Sequence, residues 1–239
     1  MIQRTLLLIL GLVTLGICTT PNPAKALTLS QNPNFTDTDF ENLIKQGEFS
    51  EKFVAEGRIG DLGGLATYEL SINDDIKQGG QPVEQQQYAW VNNQPVNFSL
   101  EYTGNSVKYI VGDRTLSSTA FNGSASDIFI RTFASQNSTV NLSNLVLNGE
   151  SIGSLGSSSL GISSDVDYLR ISDISNPFVL TGQTQLFWSG TTPPRNSQLA
   201  YQFKVGSSSK TSVPEPGTVG AIALTAFAAL GYSRKKKAA

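Results

Sequence analysis

Apolar and polar residues alternate most cleanly at Val96, Phe98, Leu100 and Tyr102, with Asn97, Ser99, Glu101 and Thr103 between them. A period of two sends successive side chains to opposite faces, so this segment predicts a strand with one buried face. Gly104-Asn105 separates it from Val107, Tyr109 and Val111, which reads as a hairpin partner. Leu199, Tyr201, Phe203 and Val205 alternate in the same way near the other end. Shorter apolar runs predict further strands at 53–59, 66–72, 88–91, 128–133, 140–147, 168–171 and 186–188. Leu142 and Leu145 fall out of phase, which predicts a bulge or turn near Ser143-Asn144.

A single helix interrupts this pattern. Thr38 and Glu41 have capping-box spacing, Phe40, Leu43 and Ile44 share a helical face, and Gly47 is placed to end it. The Gly/Ser-rich stretch from Gly149 to Ser164 carries no strand period and predicts a loop or a pair of weak turns. About ten short strands without alternating helices favour a mainly β fold, an antiparallel, jelly-roll-like β-sandwich with one short N-terminal helix. The sandwich is predicted over 27–206, and a polar spacer over 207–212.

Both ends of the chain break the strand pattern. At the N-terminus, Arg4 precedes an apolar run from Leu6 to Ile17, and Ala24-Lys25-Ala26 follows with small-x-small spacing. This is the layout of a signal peptide over 1–26 cut after Ala26 by signal peptidase. Cys18 is the only cysteine, and Ile17 before it fits a lipoprotein site poorly; lipidation there is the minor alternative. At the C-terminus, Val213-Pro214-Glu215-Pro216 precedes an uncharged run from Gly217 to Tyr232, and Arg234, Lys235, Lys236 and Lys237 follow. The prolines exclude a helix upstream of about Gly217. The run is shorter than the roughly 20 residues that span a bilayer core, so it predicts a marginal transmembrane-type helix. The basic cluster places the chain's bulk outside the cell.

The tail over 213–239, a Pro-Glu-Pro turn with an apolar helix and a basic stop, resembles the PEP-CTERM sorting signal of exported bacterial proteins. The resemblance implies a membrane-held precursor, recognition by an exosortase-type transpeptidase, and delivery to the cell surface or the extracellular space. The segments Phe53-Val54-Ala55-Glu56-Gly57-Arg58-Ile59-Gly60 and Leu199-Ala200-Tyr201-Gln202-Phe203-Lys204-Val205-Gly206 look like the borders of a choice-of-anchor ectodomain. That resemblance implies a modular surface domain and no particular activity.

Charge and composition then narrow the chemistry. Six of the 17 Lys and Arg residues and one of the 19 Asp and Glu lie in the two terminal segments, which leaves 11 basic against 18 acidic residues, a net of about −7, for 27–212. Such a balance disfavours nucleic acid as a partner. The chain has no histidine, and its one cysteine falls within the signal peptide, so His-based triads and zinc sites of His and Cys are excluded. Glu56, Glu69 and Glu101 fall in predicted strands, where two carboxylates on one face would suit a His-free glycoside hydrolase and isolated ones would face solvent. Asp165, Asp167 and Asp173 group oxygen ligands suited to calcium; Asp37, Asp39 and Glu41 are better explained as the acidic start of the helix. Trp90 and Trp188 are candidate contacts for a glycan if exposed, and core residues otherwise. The expectation is a non-enzymatic surface or extracellular-matrix protein without an obligatory cofactor. The alternatives are a carbohydrate-binding module or adhesin with extracellular polysaccharide as partner, and a carboxylate-based hydrolase.

Overall fold

The clean alternators become neighbours at the centre of two sheets. The computed structural model describes residues 27–60, 69–74 and 82–209. In chain order the elements are β1 (Thr28–Gln31), α1 (Asp37–Lys45), β2 (Phe49–Arg58), β3 (Leu70–Asn73), β4 (Glu84–Gln86), β5 (Val96–Tyr102), β6 (Val107–Val111) and β7 (Arg114–Ser118). They continue as β8 (Asp127–Ser135), β9 (Ser138–Leu147), β10 (Glu150–Ser158), β11 (Ser164–Ser172), β12 (Phe178–Trp188) and β13 (Leu199–Ser208). A seven-stranded sheet runs β1-β11-β8-β13-β2-β3-β4 and a six-stranded sheet β10-β9-β12-β5-β6-β7. Every pairing is antiparallel. The mainly β, sandwich-like architecture expected from the alternation is what forms.

The inward residues of the two sheets interlock into one core. Phe98 of β5 meets Phe203 of β13 at 4.9 Å between ring centroids, and Phe53 of β2 meets Tyr102 of β5 at 5.2 Å. Between the sheets the Tyr109 hydroxyl donates to the Tyr201 hydroxyl at 2.9 Å, so two phenols that would be costly to bury alone satisfy each other. Tyr201 fits only because its cross-strand partner is Gly57; a Cβ there would lie 2.4 Å from the tyrosine ring.

Helix α1 packs on the other side of the seven-stranded sheet. Its Phe40 lies within 5.2–5.9 Å of the Phe49, Phe129 and Tyr168 rings, a second and smaller cluster. The helix starts two residues earlier than the Thr38/Glu41 spacing suggests. Thr36 is the N-cap, its hydroxyl accepting from the Asp39 N–H at 3.2 Å while the Asp39 carboxylate accepts from the Thr36 N–H at 2.8 Å. Aspartate closes the reciprocal box here as glutamate usually does, which leaves Asp37 free to reach the sheet. At the other end Gly47 has φ of 72°, and the Glu48 N–H donates to the Leu43 carbonyl at 2.9 Å in a Schellman closure, as the glycine implied.

Three expectations are corrected. The stretch 149–164 is not one loop: Asn148 and Gly149 (φ 51° and 87°) make a hairpin turn into β10, and after it only 159–163 is irregular before β11. Register shifts around Gly153 let Ile152 and Leu155, three apart, both face the core, which is why no period of two is visible. Residues 88–91 are not a strand; the short β4 precedes them and the chain then crosses irregularly to β5. Ser207 and Ser208 are not spacer but the end of β13, paired with Ser50 and Phe49. The bulge near Ser143-Asn144 does form: Asn144 has φ of 52°, the β9–β12 register shifts there, and Leu142 and Leu145 are both buried.

Gly206 pairs with Asp127, Asp127 with Ser172 and Ser172 with Thr28, so the described chain enters and leaves at one pole of the sandwich. Among the described residues no helix is long and apolar enough to cross a membrane. The signal peptide expected around Ala24 and Ala26, the Val213–Pro216 motif, the expected transmembrane-type helix and the basic residues Arg234–Lys237 all lie outside the described residues.

Candidate functional site

Among the described residues, those nominated from the sequence do not assemble into a site. Asp165 sits at the start of β11, where its carboxylate accepts from the Ser158 N–H at 2.8 Å. Asp173 lies just past the far end of the same strand, accepting from the Thr28 hydroxyl at 3.1 Å. Eight extended residues separate them by about 26 Å, so the trio with Asp167 is not one calcium cage. Burial raises the Asp167 carboxyl above its usual range, and the charge of Asp165 adds to this. Among the described residues no three of His, Cys, Asp and Glu gather in a metal-binding group. The tryptophans are not surface platforms either. Trp188 is buried in the core, and Trp90 is half-buried, its indole N–H donating to the Arg58 carbonyl at 2.8 Å and its ring 4.6 Å from that of Tyr88.

The strand glutamates divide between different surroundings. Glu56 does not face solvent; it is only 6% exposed, accepts from the Gln202 amide, and lies 3.3 Å from the Arg58 guanidinium. Burial raises the Glu69 carboxyl, against stabilising N–H groups from Tyr88 and Gly60. Glu101 lies across from Lys108 on the six-stranded sheet. Glu56 belongs to a layer of charges on the outer face of the seven-stranded sheet. In the same layer the Lys204 ammonium is 3.6 Å from the Glu51 carboxylate and 4.6 Å over the Phe40 ring. Burial lowers the Lys204 ammonium, and the Glu51 charge opposes that shift. Arg131 grips Asp37 through two hydrogen bonds of 2.6 Å, and the Tyr168 hydroxyl donates to the same carboxylate at 2.7 Å. Burial pushes the Asp37 carboxyl upward, but Arg131 and Tyr168 outweigh it, so the group titrates below its ordinary range. These groups bolt α1 to the sheet.

The outer face of the six-stranded sheet is chemically different. Along β12 the outward residues are Val179, Thr181, Gln183, Gln185 and Phe187, with Leu180, Thr184, Leu186 and Trp188 pointing inward. Across the strands, Asn97 and Ser143 flank Gln183, Asn141 flanks Gln185, and Thr139 flanks Phe187. The Gln183 amide donates to Asn97 at 3.0 Å and accepts from the Asn144 amide at 3.2 Å, while Gln185 donates to the Asn93 carbonyl at 2.8 Å. These ranks carry no charge; Glu101 and Lys108 face each other at the margin beside Val179. Phe187 is 41% exposed and Val179 38%, so the uncharged line ends in an apolar residue at each end. Phe187 was legible in one respect: with Leu186 and Trp188 inside, alternation puts it outside.

No protein-family model matches the chain and no curated protein matches it in sequence.

Proposed function

We propose that this is a non-enzymatic exported protein of the cell surface or extracellular matrix, a jelly-roll-like sandwich sorted by its C-terminal PEP-CTERM-type signal. Signal peptidase would cut after Ala26, and Arg234–Lys237 would hold the apolar run at the membrane until an exosortase reads Pro214-Glu215-Pro216. The observation that carries this reading is the C-terminal grammar itself: a rigid extended turn, an uncharged run and a basic end in that order. Geometry supports it, because both ends of the sandwich leave at one pole, and a tether there leaves the opposite pole and the six-stranded face open. The non-enzymatic part is supported by the strand carboxylates: Glu56 and Glu101 lie on opposite outer faces of the sandwich, and Glu69 is held by backbone N–H groups.

The test is the triple substitution P214A/E215A/P216A in a host that has an exosortase. Export and folding should be unchanged, while an uncleaved form accumulates in the membrane fraction. Processing and distribution identical to wild type would make the motif a mere linker and overturn the sorting reading. The uncharged amide face favours one second reading, that the exported domain is a carbohydrate-binding module.

A further inference from the structure

We infer that the outer line of β12, from Val179 to Phe187, binds a neutral, hydroxyl-rich polysaccharide chain laid along the strand. Its amides read sugar hydroxyls, and the Phe187 ring packs against the C–H face of a sugar.

The line is extended rather than pocket-like. Thr181 to Phe187 covers about 20 Å at strand rise, and outward side chains recur about every 7 Å, which suits a linear polymer touching several subsites. Its chemistry is that of paired donors and acceptors. A carboxamide offers two N–H donors and an acceptor oxygen, and a sugar hydroxyl both gives and takes a hydrogen bond. Gln183 spends one donor on Asn97 and one acceptor site on Asn144, and retains one of each for a ligand. Those same bonds hold the amides in place before binding, which reduces the ordering cost.

Charge selects the class of polymer. No cation stands in the ranks of Gln183, Gln185 and Phe187 to match a carboxylate or sulfate, and Glu101 and Lys108, the cross-strand neighbours beside Val179, carry opposite charges. The predicted sandwich and spacer carry a net of about −7, with 11 basic and 18 acidic residues, which repels polyanions further. A protein partner would require a cluster of apolar or arginine anchors at the centre of the face. Here the centre is amide and hydroxyl, and the apolar side chains stand at the two ends. A single exposed aromatic beside a polar, uncharged line fits a pyranose ring better than another protein surface.

This deepens the second reading above and draws on surface location only for access to the polymer, so it is measured on purified protein. The full chain in non-ionic detergent is run by native affinity electrophoresis in gels containing hydroxyethylcellulose, galactomannan or dextran, with alginate as the anionic control. At least one neutral polymer should retard the protein and alginate should not. Combining Phe187→Ala with Gln183→Ala should weaken the retarding interaction at least tenfold. Gln185→Glu, which keeps the side-chain shape and adds a charge, should weaken it as well. Lys108→Ala, off the line, should leave it unchanged. Failure of all three neutral polymers to retard the chain overturns the inference, as does stronger binding to alginate or wild-type retardation of both the double variant and Gln185→Glu. Because no processing step enters the assay, a negative result here is separate from a negative result for the sorting motif.

Discussion

The two outer faces of this sandwich are built from the same strand geometry and put it to opposite uses. On the seven-stranded sheet, Lys204 and Glu56 are almost fully buried and Arg131 is nearly so. Removing such charges from water costs several kcal/mol each unless the geometry of their pairing is good. Each accordingly has a partner: Glu51 and the Phe40 ring for Lys204, Arg58 and Gln202 for Glu56, Asp37 for Arg131. Along β12 at the middle of the six-stranded sheet the outward polar groups are neutral amides and hydroxyls, which cost little to leave open. A concentration of charge on a strand face here marks where a second layer is fastened. The face left open is the one whose central line along β12 is uncharged, with Glu101 and Lys108 at its margin.

The largest expected effect is on the fastened face. Lys204→Ala leaves the Glu51 carboxylate without its nearby ammonium and removes the cation from the Phe40 ring. Breaking one side of a buried pair costs about 3–5 kcal/mol. The urea midpoint should therefore fall sharply, with α1 loosening from the sheet. A loss below about 1 kcal/mol would mean that the charged layer does not hold the structure together and would remove the contrast between the faces.

A smaller effect belongs to the Asp37 clasp, which is also where pH should act. Its side chain is 48% exposed, so solvent screening holds the cost of Asp37→Asn to about 1–2 kcal/mol. Because the folded carboxyl titrates below its unfolded value, the clasp stabilises fully above about pH 4 and is lost as pH falls through the folded value. Asp127 adds to the same acid-side loss: burial raises it, but hydrogen bonds from Ser126, Arg170 and Ser172 lower it further. Unfolding free energy measured between pH 6 and pH 2.5 should decline more steeply in wild type than in Asp37→Asn. Parallel curves would show that the clasp contributes nothing to the acid limb.

How far the sequence disclosed all this depends on whether a signal was local. β5, β6 and β13 were readable because one face of each is apolar in strict phase, and the bulge at Ser143-Asn144 within β9 was readable because Leu142 and Leu145 break that phase. β10 was hidden because its own bulges destroy the period, although Asn148-Gly149 is a hairpin signal in plain view. The split of Asp165 from Asp173 follows from strand continuity, which spacing in the sequence cannot distinguish from a loop. Glu56 was unreadable for a different reason. Only pairing places Gln202 across from it and brings a charged layer over β2, and those contacts join residues 146 apart in the chain. The amide line of β12 carries no motif at all, since Thr, Gln and Gln on a strand are what an ordinary solvated face would have.

The smallest expected stability effect is on that line, and it completes the comparison. Gln183 is half-exposed, and its two amide bonds, of 3.0 Å to Asn97 and 3.2 Å to Asn144, are open to replacement by water. Gln183→Ala leaves no buried group unpaired and opens no core cavity, so thermal and urea unfolding should agree with wild type within about 0.5 kcal/mol. Facing strands constrain the alternative: if Gln183 were a structural tie between β5, β12 and β9, its removal would cost as much as the Asp37 clasp. A loss above about 1.5 kcal/mol would assign the face to cohesion, like its counterpart on the other sheet. A negligible loss, together with weakened polymer retardation when Phe187 is also replaced, separates recognition from folding. A surface whose residues can be removed without cost to the fold is one whose composition selection for stability alone does not account for.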